Sequence, residues 1–215
     1  MSGEQESEKR DAARAAAALV EDGQLVGLGT GSTVAHLLPA LAERRLRIRC
    51  VATSPHTEEA ARRLGLEVLP FTGIERLDIA IDGADQVDLD GWLVKGGGGA
   101  HTREKVVAAA ATRFVVIVSS DKVVERIAPP IPLELLTFGI DATIAALGAV
   151  RLRAVPASPD GGVIADYLTP FADRGAVTAT LDGTPGVIGH GIFPPGLCAD
   201  VLIGRAGEVE HLMLR

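Results

Sequence analysis

Cysteine is scarce in this 215-residue sequence. The two cysteines, Cys50 and Cys198, belong neither to a CxxC pair nor to a cluster of cysteine and histidine with the spacing of metal ligands. The five histidines are also scattered along the chain. We therefore expect both cysteines to be reduced core residues, and we expect no bound metal.

Aromatic residues and positive charge are scarce as well. Aromatic residues make up 3% of the chain and the formal net charge is -7, whereas proteins that bind nucleic acid present basic patches and rings that stack on bases. The composition therefore argues against a nucleic-acid partner. A phosphate ligand is still compatible with it, because backbone amides and one or two lysines can form an electropositive site on an acidic protein.

No hydrophobic run reaches the ~18 residues that a membrane-spanning helix needs. The first ten residues, MSGEQESEKR, carry several charges and no apolar region, so they do not resemble a secretory signal. We expect a soluble protein in the cytoplasm, with no membrane partner.

Short runs of Val, Ile and Leu alternate with helical patterns through the first part of the chain. In order, the patterns predict a helix from about Glu8 to Val20, a strand at 24–28, a helix from Thr33, the strand IRCVATS, the helix HTEEAARRLG, the apolar strand LDIAIDGADQVD running into acidic residues, a helix over 100–112 and the strand RFVVIVSS. This alternation is typical of an α/β fold whose parallel sheet is covered on both faces. Ligands of such sheets bind at the carboxyl ends of the strands.

The pattern changes near Pro129, Pro130 and Pro132. Shorter strands with one or two helices follow, including a helix near 141–147, and they indicate a small α+β domain. The final segment, ADVLIGRAGEVEHL, is typical of a hairpin that returns to the first sheet. For a chain of 215 residues we expect one domain with a smaller partner.

The motif GLGTGST, residues 27–33, joins a predicted strand to a predicted helix. Peptide N–H groups and the helix dipole attract anions there, glycines let a phosphate approach the backbone, and Thr30, Ser32 and Thr33 add hydroxyl donors. A dinucleotide fingerprint would need glycine in place of Ser32 or Val34, and the Gly-Lys-Ser/Thr of a P-loop is absent. The motif predicts a phosphate site, with a tight turn capped by Ser32 or Thr33 as the alternative.

Three aspartates, Asp82, Asp85 and Asp88, follow the apolar run LDIAI. A surface turn would explain the Asp-Gly pair. At the carboxyl end of a strand, however, these carboxylates can point into a cleft shared with GTGST. Spaced aspartates also suit Mg²⁺ or Ca²⁺, but the spacing and closing glutamate of an EF-hand are missing, so we do not expect a metal here.

Four consecutive glycines, residues 96–99, separate Lys95 from the predicted helix that carries Glu104. A flexible linker is one interpretation of a glycine run, and a solvated helix face is the usual interpretation of Arg103, Glu104 and Lys105. The alternative is that the glycine backbone forms a second surface that a ligand can approach closely, with the Lys95 ammonium and the Glu104 carboxylate beside it. A catalytic Glu104 would need burial, which raises its pKa against the helix N-terminus and the nearby lysines.

A phosphate loop, strand-end aspartates, a lysine and a glutamate suit proton transfer on a small phosphorylated polyol. An aldose–ketose isomerisation needs a base that moves a proton between neighbouring carbons, and a cation or hydrogen-bond donor at the enediolate oxygen. The sequence shows no Cys/His pair and no Ser/His/Asp motif for nucleophilic catalysis.

The same motifs resemble ribose-5-phosphate isomerase of type A. The resemblance is carried, in chain order, by GLGTGST (27–33), TSPHTEEAARRLG (53–65), DGADQVD (82–88), KGGGGAHTREK (95–105) and PGVIGHGIF (185–193). DGAD followed by KGGG and TREK is highly specific, and the match covers most of the chain. The resemblance implies an isomerase without metal or cofactor that interconverts ribose 5-phosphate and ribulose 5-phosphate in the non-oxidative pentose phosphate pathway.

The resemblance also implies a role for each matching residue. Glu104 matches the base that shuttles the proton, and Lys95 matches the lysine that stabilises the enediolate. Asp82, with Asp85 beside it, matches the position that assists ring opening and proton transfer at oxygen. The implied substrate-binding residues are Gly29, Thr30, Gly31, Ser32, Thr33, Gly96, Gly97, Gly98 and Lys122, with Lys9 as a further member.

The fold implied by the resemblance is a Rossmann-like domain with a smaller ferredoxin-like α+β domain inserted. The domains would comprise residues 1–128 with 200–215, and residues 129–199, and family members form homodimers or homotetramers. This sequence departs from the family at His101, where an apolar residue is usual, and in RAVPASPDGGVIADYL, which is compressed where the family tends to carry a TDNGN-like turn. The segment over 168–184 also matches poorly.

A sugar-phosphate sensor is the main alternative, because related domains act as effector modules in bacterial transcription regulators. We expect an enzyme instead, since the chain begins almost directly with the sheet domain and leaves no room for a helix-turn-helix. The presence of Asp82, Lys95 and Glu104 also favours turnover. A coenzyme A transferase or a nicotinamide dehydrogenase would share the architecture, but the missing dinucleotide fingerprint counts against the dehydrogenase.

Overall fold

The computed structural model describes residues 3–214 of the chain. In chain order its strands are β1 (Leu25–Leu28), β2 (Arg49–Ala52), β3 (Glu67–Val68), β4 (Leu77–Asp82), β5 (Gln86–Asp88), β6 (Leu93–Val94), β7 (Ala111–Ser119), β8 (Val123–Val124), β9 (Ile131–Leu135), β10 (Val150–Leu152), β11 (Val163–Tyr167), β12 (Val187–His190), β13 (Ile192–Phe193), β14 (Asp200–Arg205) and β15 (Glu208–Met213). The helices are α1 (Gly3–Ala18), α2 (Ser32–Glu43), α3 (Pro55–Arg63), α4 (His101–Ala110), α5 (Ile140–Leu147) and α6 (Arg174–Gly183).

The central sheet has seven strands in the order β15-β14-β7-β4-β1-β2-β3. All neighbours are parallel except β14 and β15, which form the predicted returning hairpin. From β1 the chain adds β2 and β3 on one side and then β4, β7 and β14 on the other. Such a reversal opens a crevice at the carboxyl ends of the two strands where it occurs, here β1 and β4. The predicted α/β class with a Rossmann-like parallel sheet is confirmed.

Helices cover both faces of this sheet. Alanines and leucines of α1 and α2 form the buried core on one face, and Val107 and Ala108 of α4 belong to the core on the other. A Cβ added at Gly27 would lie 2.6 Å from Cγ1 of Val107, so glycine in β1 lets α4 pack closely against the strand. Cys50 and Cys198 are buried, free cysteines in these cores, as predicted.

Helix α1 begins earlier than the predicted Glu8 and ends at Ala18 rather than Val20. Glu4 and Glu6 lie in its first turn, where negative side chains interact favourably with the positive end of the helix dipole. The polar start of the chain therefore extends the alanine-rich helix. Within residues 3–214, no helix combines the length and apolar character needed to cross a membrane.

A second sheet, antiparallel throughout, has the strand order β10-β11-β9-β12. Its strands and α5 and α6 follow one another as βαββαβ, and this connection with this strand order is ferredoxin-like. The segment over 168–184 contains α6, whose first turn is capped by Asp173 accepting from the N–H of Ala176 at 3.0 Å. The smaller α+β unit is therefore present, while the domain boundaries at 128 and 199 stay a prediction.

A third sheet of short strands, which the sequence did not predict, joins these two parts in the order β13-β6-β5-β8. The chain leaves β4 at Asp82 and starts the separate strand β5 at Gln86, so LDIAIDGADQVD is two strands, and the single predicted strand is wrong. Lys95 follows β6 directly, and its N–H donates to the carbonyl of Gly191 at 2.8 Å. The start of the glycine run is thereby tied to the connection between β12 and β13.

Candidate active site

A cavity of about 370 Å³ opens where the chain leaves β1, β4 and β6. It is lined by residues 30–33, 83–85 and 95–98 and by Gln5, Lys9, Glu104 and Lys122. Asp82 supports this lining through an ion pair with Lys95, and Gly29 lies directly against Asp82. The structure therefore brings all of the predicted site residues together around one cavity.

Lys95 lies between two carboxylates. Its Nζ is 2.9 Å from Oδ2 of Asp82 and 3.2 Å from Oε2 of Glu104, and it also donates to the carbonyl of Gly83. Lys95, Asp82 and Glu104 are 2%, 3% and 4% exposed. Oε2 of Glu104 has this ion pair but no aligned hydrogen bond. One fixed ammonium and a carboxylate with an unused lone pair thus face the same small space.

Burial is the largest influence on the pKa values of Lys95, Asp82 and Glu104. It raises the pKa of Glu104 to about 8, assisted by the Asp82 carboxylate and opposed by Lys95. It also raises the pKa of Asp82 against the lowering effect of Lys95. Burial acts to lower the pKa of Lys95, but the two carboxylates outweigh it, so that pKa is raised and the ammonium stays charged. For Glu104, burial therefore outweighs the helix N-terminus, and the carboxyl can exchange a proton near neutral pH.

Asp82 is held rigidly by the backbone around it. Its Oδ1 accepts from the N–H of Thr30 at 3.1 Å and from the N–H of Gly83 at 2.7 Å. A Cβ added at Gly29 would lie 1.9 Å from Oδ1 of Asp82. Glycine at this position therefore allows the phosphate-type loop after β1 and the aspartate at the end of β4 to meet.

The glycine run is a packed part of the site rather than a linker. Gly96 has φ +107°, which favours glycine, and a Cβ there would lie 2.6 Å from Nδ1 of His101. The N–H of Gly97 donates to Oδ2 of Asp85 at 2.7 Å, and a Cβ on Gly97 would lie 2.7 Å from Oδ1 of the same side chain. The close approach of His101 and Asp85 explains why side chains are absent at these positions.

The other end of the cavity is suited to an anion. Gly31 stands at the N-cap of α2, so no side chain caps the first-turn N–H groups, which carry the positive end of the helix dipole. The chain has four lysines, and three of them, Lys9, Lys95 and Lys122, line this cavity. Nζ of Lys9 forms an ion pair with Oε1 of Glu6 at 2.8 Å, and Nζ of Lys122 forms one with Oδ2 of Asp121 at 3.2 Å.

A cluster of hydroxyl groups behind the loop was not recognised from the sequence as part of the site. Oγ1 of Thr30 lies 2.8 Å from Oγ1 of Thr53 and 2.9 Å from Oγ of Ser54, and Thr57 donates to the carbonyl of Gly29 at 2.9 Å. The hydroxyl of Thr30 therefore shapes the loop, which leaves Ser32 as the predicted hydroxyl donor on its exposed side. These hydroxyl groups belong to the motif TSPHT, which carries part of the family resemblance but for which no site residue is predicted.

Comparison with known proteins agrees with this geometry. The family model described as ribose 5-phosphate isomerase A (phosphoriboisomerase A) matches residues 49–208. The chain belongs to this family. The match spans the aspartates after β4, the glycine run and Glu104, and it continues through the second sheet. The predicted family is confirmed.

Relatives within the family match over nearly their whole length. Ribose-5-phosphate isomerase A of Korarchaeum cryptofilum is 40% identical over 221 residues, covering 96% of this chain and 97% of the relative. The crystal structure of ribose 5 phosphate isomerase A from Neisseria gonorrhoeae superimposes with a TM-score of 0.94 at 29% identity, covering 98% of both chains. A D-ribose-5-phosphate isomerase in complex with phospho-erythronic acid gives a TM-score of 0.91 at 30% identity, covering 99% of this chain and 100% of that one.

A second family model, the DeoR C terminal sensor domain, matches residues 4–74. This part includes the loop after β1 and the hydroxyl cluster behind it. Asp82, Lys95 and Glu104 all lie outside the matched residues. The likeness to sensor domains is therefore confined to the anion end of the cavity.

Proposed function

We propose that the protein is an isomerase that interconverts D-ribose 5-phosphate and D-ribulose 5-phosphate. The observation that carries the proposal is Lys95 between Asp82 and Glu104, buried at one end of a cavity whose other end is a helix N-terminus with two lysines. A phosphorylated pentose has its charge at one end and its reacting carbons at the other. The two ends of the cavity match these two parts of the sugar. Membership of the isomerase family supports the same substrate.

Each side chain has a role in the proposed reaction. The N-terminus of α2, Lys122 and Lys9 bind the phosphate, and Asp82 with Asp85 assists ring opening and proton transfer at the sugar oxygens. Glu104 removes the proton from C2 of the aldose and returns it to C1, so no atom is gained or lost. Lys95 stabilises the negative charge that develops on the enediolate oxygen, as a fixed cation in a buried site does most effectively.

The surroundings of the reaction are also proposed. We place the enzyme in the cytoplasm, in the non-oxidative pentose phosphate pathway, as a homodimer or homotetramer without a metal or cofactor. It would have no nucleic-acid or membrane partner. The net charge of -7 argues against a nucleic-acid partner.

A sensor that binds a sugar phosphate without turning it over is the alternative, supported by the second family match. A sensor needs the anion end of the cavity. Binding without turnover does not require a buried carboxyl with a raised pKa beside a fixed ammonium. The chemistry of Glu104 and Lys95 therefore favours the isomerase.

The direct test is an isomerase assay of purified protein with ribose 5-phosphate in the presence of excess chelator. We expect full conversion to the equilibrium mixture of aldose and ketose. Binding of the sugar phosphate without turnover would support the sensor. Activity that the chelator abolishes and a divalent metal restores would refute the metal-free mechanism.

Replacement of Lys122 by alanine is expected to weaken substrate binding more than catalysis. A hydrogen bond from a charged donor contributes about 1.5–3 kcal/mol, so KM should rise about 10- to 100-fold while kcat changes little. Steady-state kinetics of Lys122→Ala and of the exposed neighbour Arg126→Ala provide the comparison. A loss confined to kcat would show that Lys122 acts on the reacting atoms instead.

The rate at low substrate concentration is expected to depend on the ionisation of Glu104. Burial raises its pKa to about 8, and the base must be unprotonated, so kcat/KM should rise about tenfold per pH unit below that pKa and level off above it. The substrate phosphate ionises near pH ~6, which keeps the two transitions apart. A kcat/KM that is already constant from about pH 6 upward would contradict the assignment.

A further inference from the structure

A half-buried arginine connects the second sheet to the glycine run by hydrogen bonds. Arg153, which follows β10, donates to the carbonyl of Gly96 at 2.9 Å and to the carbonyl of Gly97 at 3.2 Å. Its Nε and Nη2 also donate to Oδ1 of Asp166 on β11 at 2.9 and 2.6 Å. The side chains of Arg153 and Asp166 are 19% and 5% exposed. The planar guanidinium thus links two glycine carbonyls to a buried carboxylate, which a lysine has too few fixed donors to do.

Gly97 is consequently held from two directions. Its N–H donates to Asp85, which follows β4, and its carbonyl accepts from Arg153 of the second sheet. Glycine loses more backbone freedom on ordering than any other residue, so a run of four glycines depends on outside contacts for a single conformation. This run connects Lys95, at the end of β6, to the helix that carries Glu104.

The same hairpin also reaches the helix of Glu104. Asp160, in the loop between β10 and β11, accepts from Nε and Nη2 of Arg103 at 2.7 Å each. The side chains of Arg103 and Asp160 are 39% and 49% exposed, and exposed ion pairs contribute little to stability. The β10–β11 hairpin therefore contacts the segment over 96–104 at both ends, and the less exposed of the two contacts is the one at Arg153.

We propose that Arg153 is a positioning residue for the isomerisation. Held by Asp166, it fixes the peptides of Gly96 and Gly97 and thereby the placement of Lys95 relative to Glu104. The proposal rests on the proposed function and adds a contribution of the smaller sheet to catalysis. Displacement of a catalytic group by about 1 Å can reduce a rate about 100-fold. If loss of Arg153 lets the glycine run move, Lys95 and Glu104 should be displaced relative to each other and turnover should fall.

The kinetic test compares Arg153→Ala with Arg151→Ala. Arg151 pairs with the same Asp166 at 3.0 Å, but its side chain is 63% exposed, which makes it a matched control. We expect kcat of Arg153→Ala to fall about 10- to 100-fold with a smaller change in KM, and added guanidinium ion to restore part of the loss. Arg151→Ala should keep the wild-type kcat.

An independent readout separates this proposal from the isomerase assignment. Hydrogen exchange of amides in residues 94–104 should be faster in Arg153→Ala than in Arg151→Ala, whether or not the protein turns over substrate. Wild-type protein without isomerase activity would refute the proposed function, whereas unchanged exchange and unchanged kcat in Arg153→Ala would overturn the positioning role. If Arg153→Ala does not fold, Arg153→Lys replaces it, and a wild-type kcat in that folded variant would equally overturn the role.

Discussion

Glu104→Gln is expected to reduce kcat by roughly two to four orders of magnitude, the usual contribution of a well-placed acid–base group. The amide keeps the size of the side chain but cannot accept the proton from carbon. Because the phosphate is bound at the far end of the cavity, KM should change much less than kcat. Initial rates of ketose formation at several substrate concentrations separate the two parameters.

The fold of this variant should be intact. Burial raises the pKa of Glu104 to about 8, so at neutral pH the substitution replaces a largely protonated carboxyl by a neutral amide, and the pair of Lys95 and Asp82 remains. We therefore expect a melting temperature at least as high as that of the wild type. Glu125→Gln, on an exposed glutamate, serves as the control for the substitution itself. A nearly normal rate in Glu104→Gln would remove Glu104 from the role of base.

The central sheet was predictable because its signals are local and repeated. Strands such as β4 and β7 are runs of apolar residues separated by helical patterns, and a sheet buried on both faces requires this alternation. The third sheet was not predictable for the opposite reason. Its strand β6 has two residues and no periodicity, and it forms because β13, about 100 residues further along the chain, supplies its partner.

The position of the site and its residues were also predictable, but the burial of those residues was not. Parallel strands bring their carboxyl ends to one edge, so the loops after β1 and β4 had to be neighbours. Whether Glu104 is a solvated surface residue or a base depends on burial, and burial depends on tertiary packing that no local pattern encodes. Arg153 illustrates the same limit, because it comes from a segment that resembles the family poorly and acts on backbone carbonyls.

Lys95→Met is expected to reduce kcat by about three orders of magnitude or more, because loss of one donor to a developing oxyanion alone reduces kcat about 100- to 1,000-fold. The substitution also removes the only ammonium between Asp82 and Glu104 among the described residues that contact them. Methionine fills a similar volume, so the effect of the lost charge is measured with little effect of a cavity. Lys122→Met, at a half-buried lysine of the same cavity, is the matched control.

The stability of Lys95→Met should depend on pH in a defined direction. Removing one partner of a buried ion pair destabilises a protein by about 3–5 kcal/mol when the other partner stays charged. Without the ammonium, the pKa of Asp82 and of Glu104 should rise further above their ordinary values, so both are neutral at low pH and the deficit relative to wild type is small there. As pH rises, ionising either carboxyl becomes unfavourable in the folded state, and the deficit should grow. Urea unfolding of both proteins at acidic and alkaline pH measures this difference, and a deficit independent of pH would show that Lys95 contributes packing rather than charge.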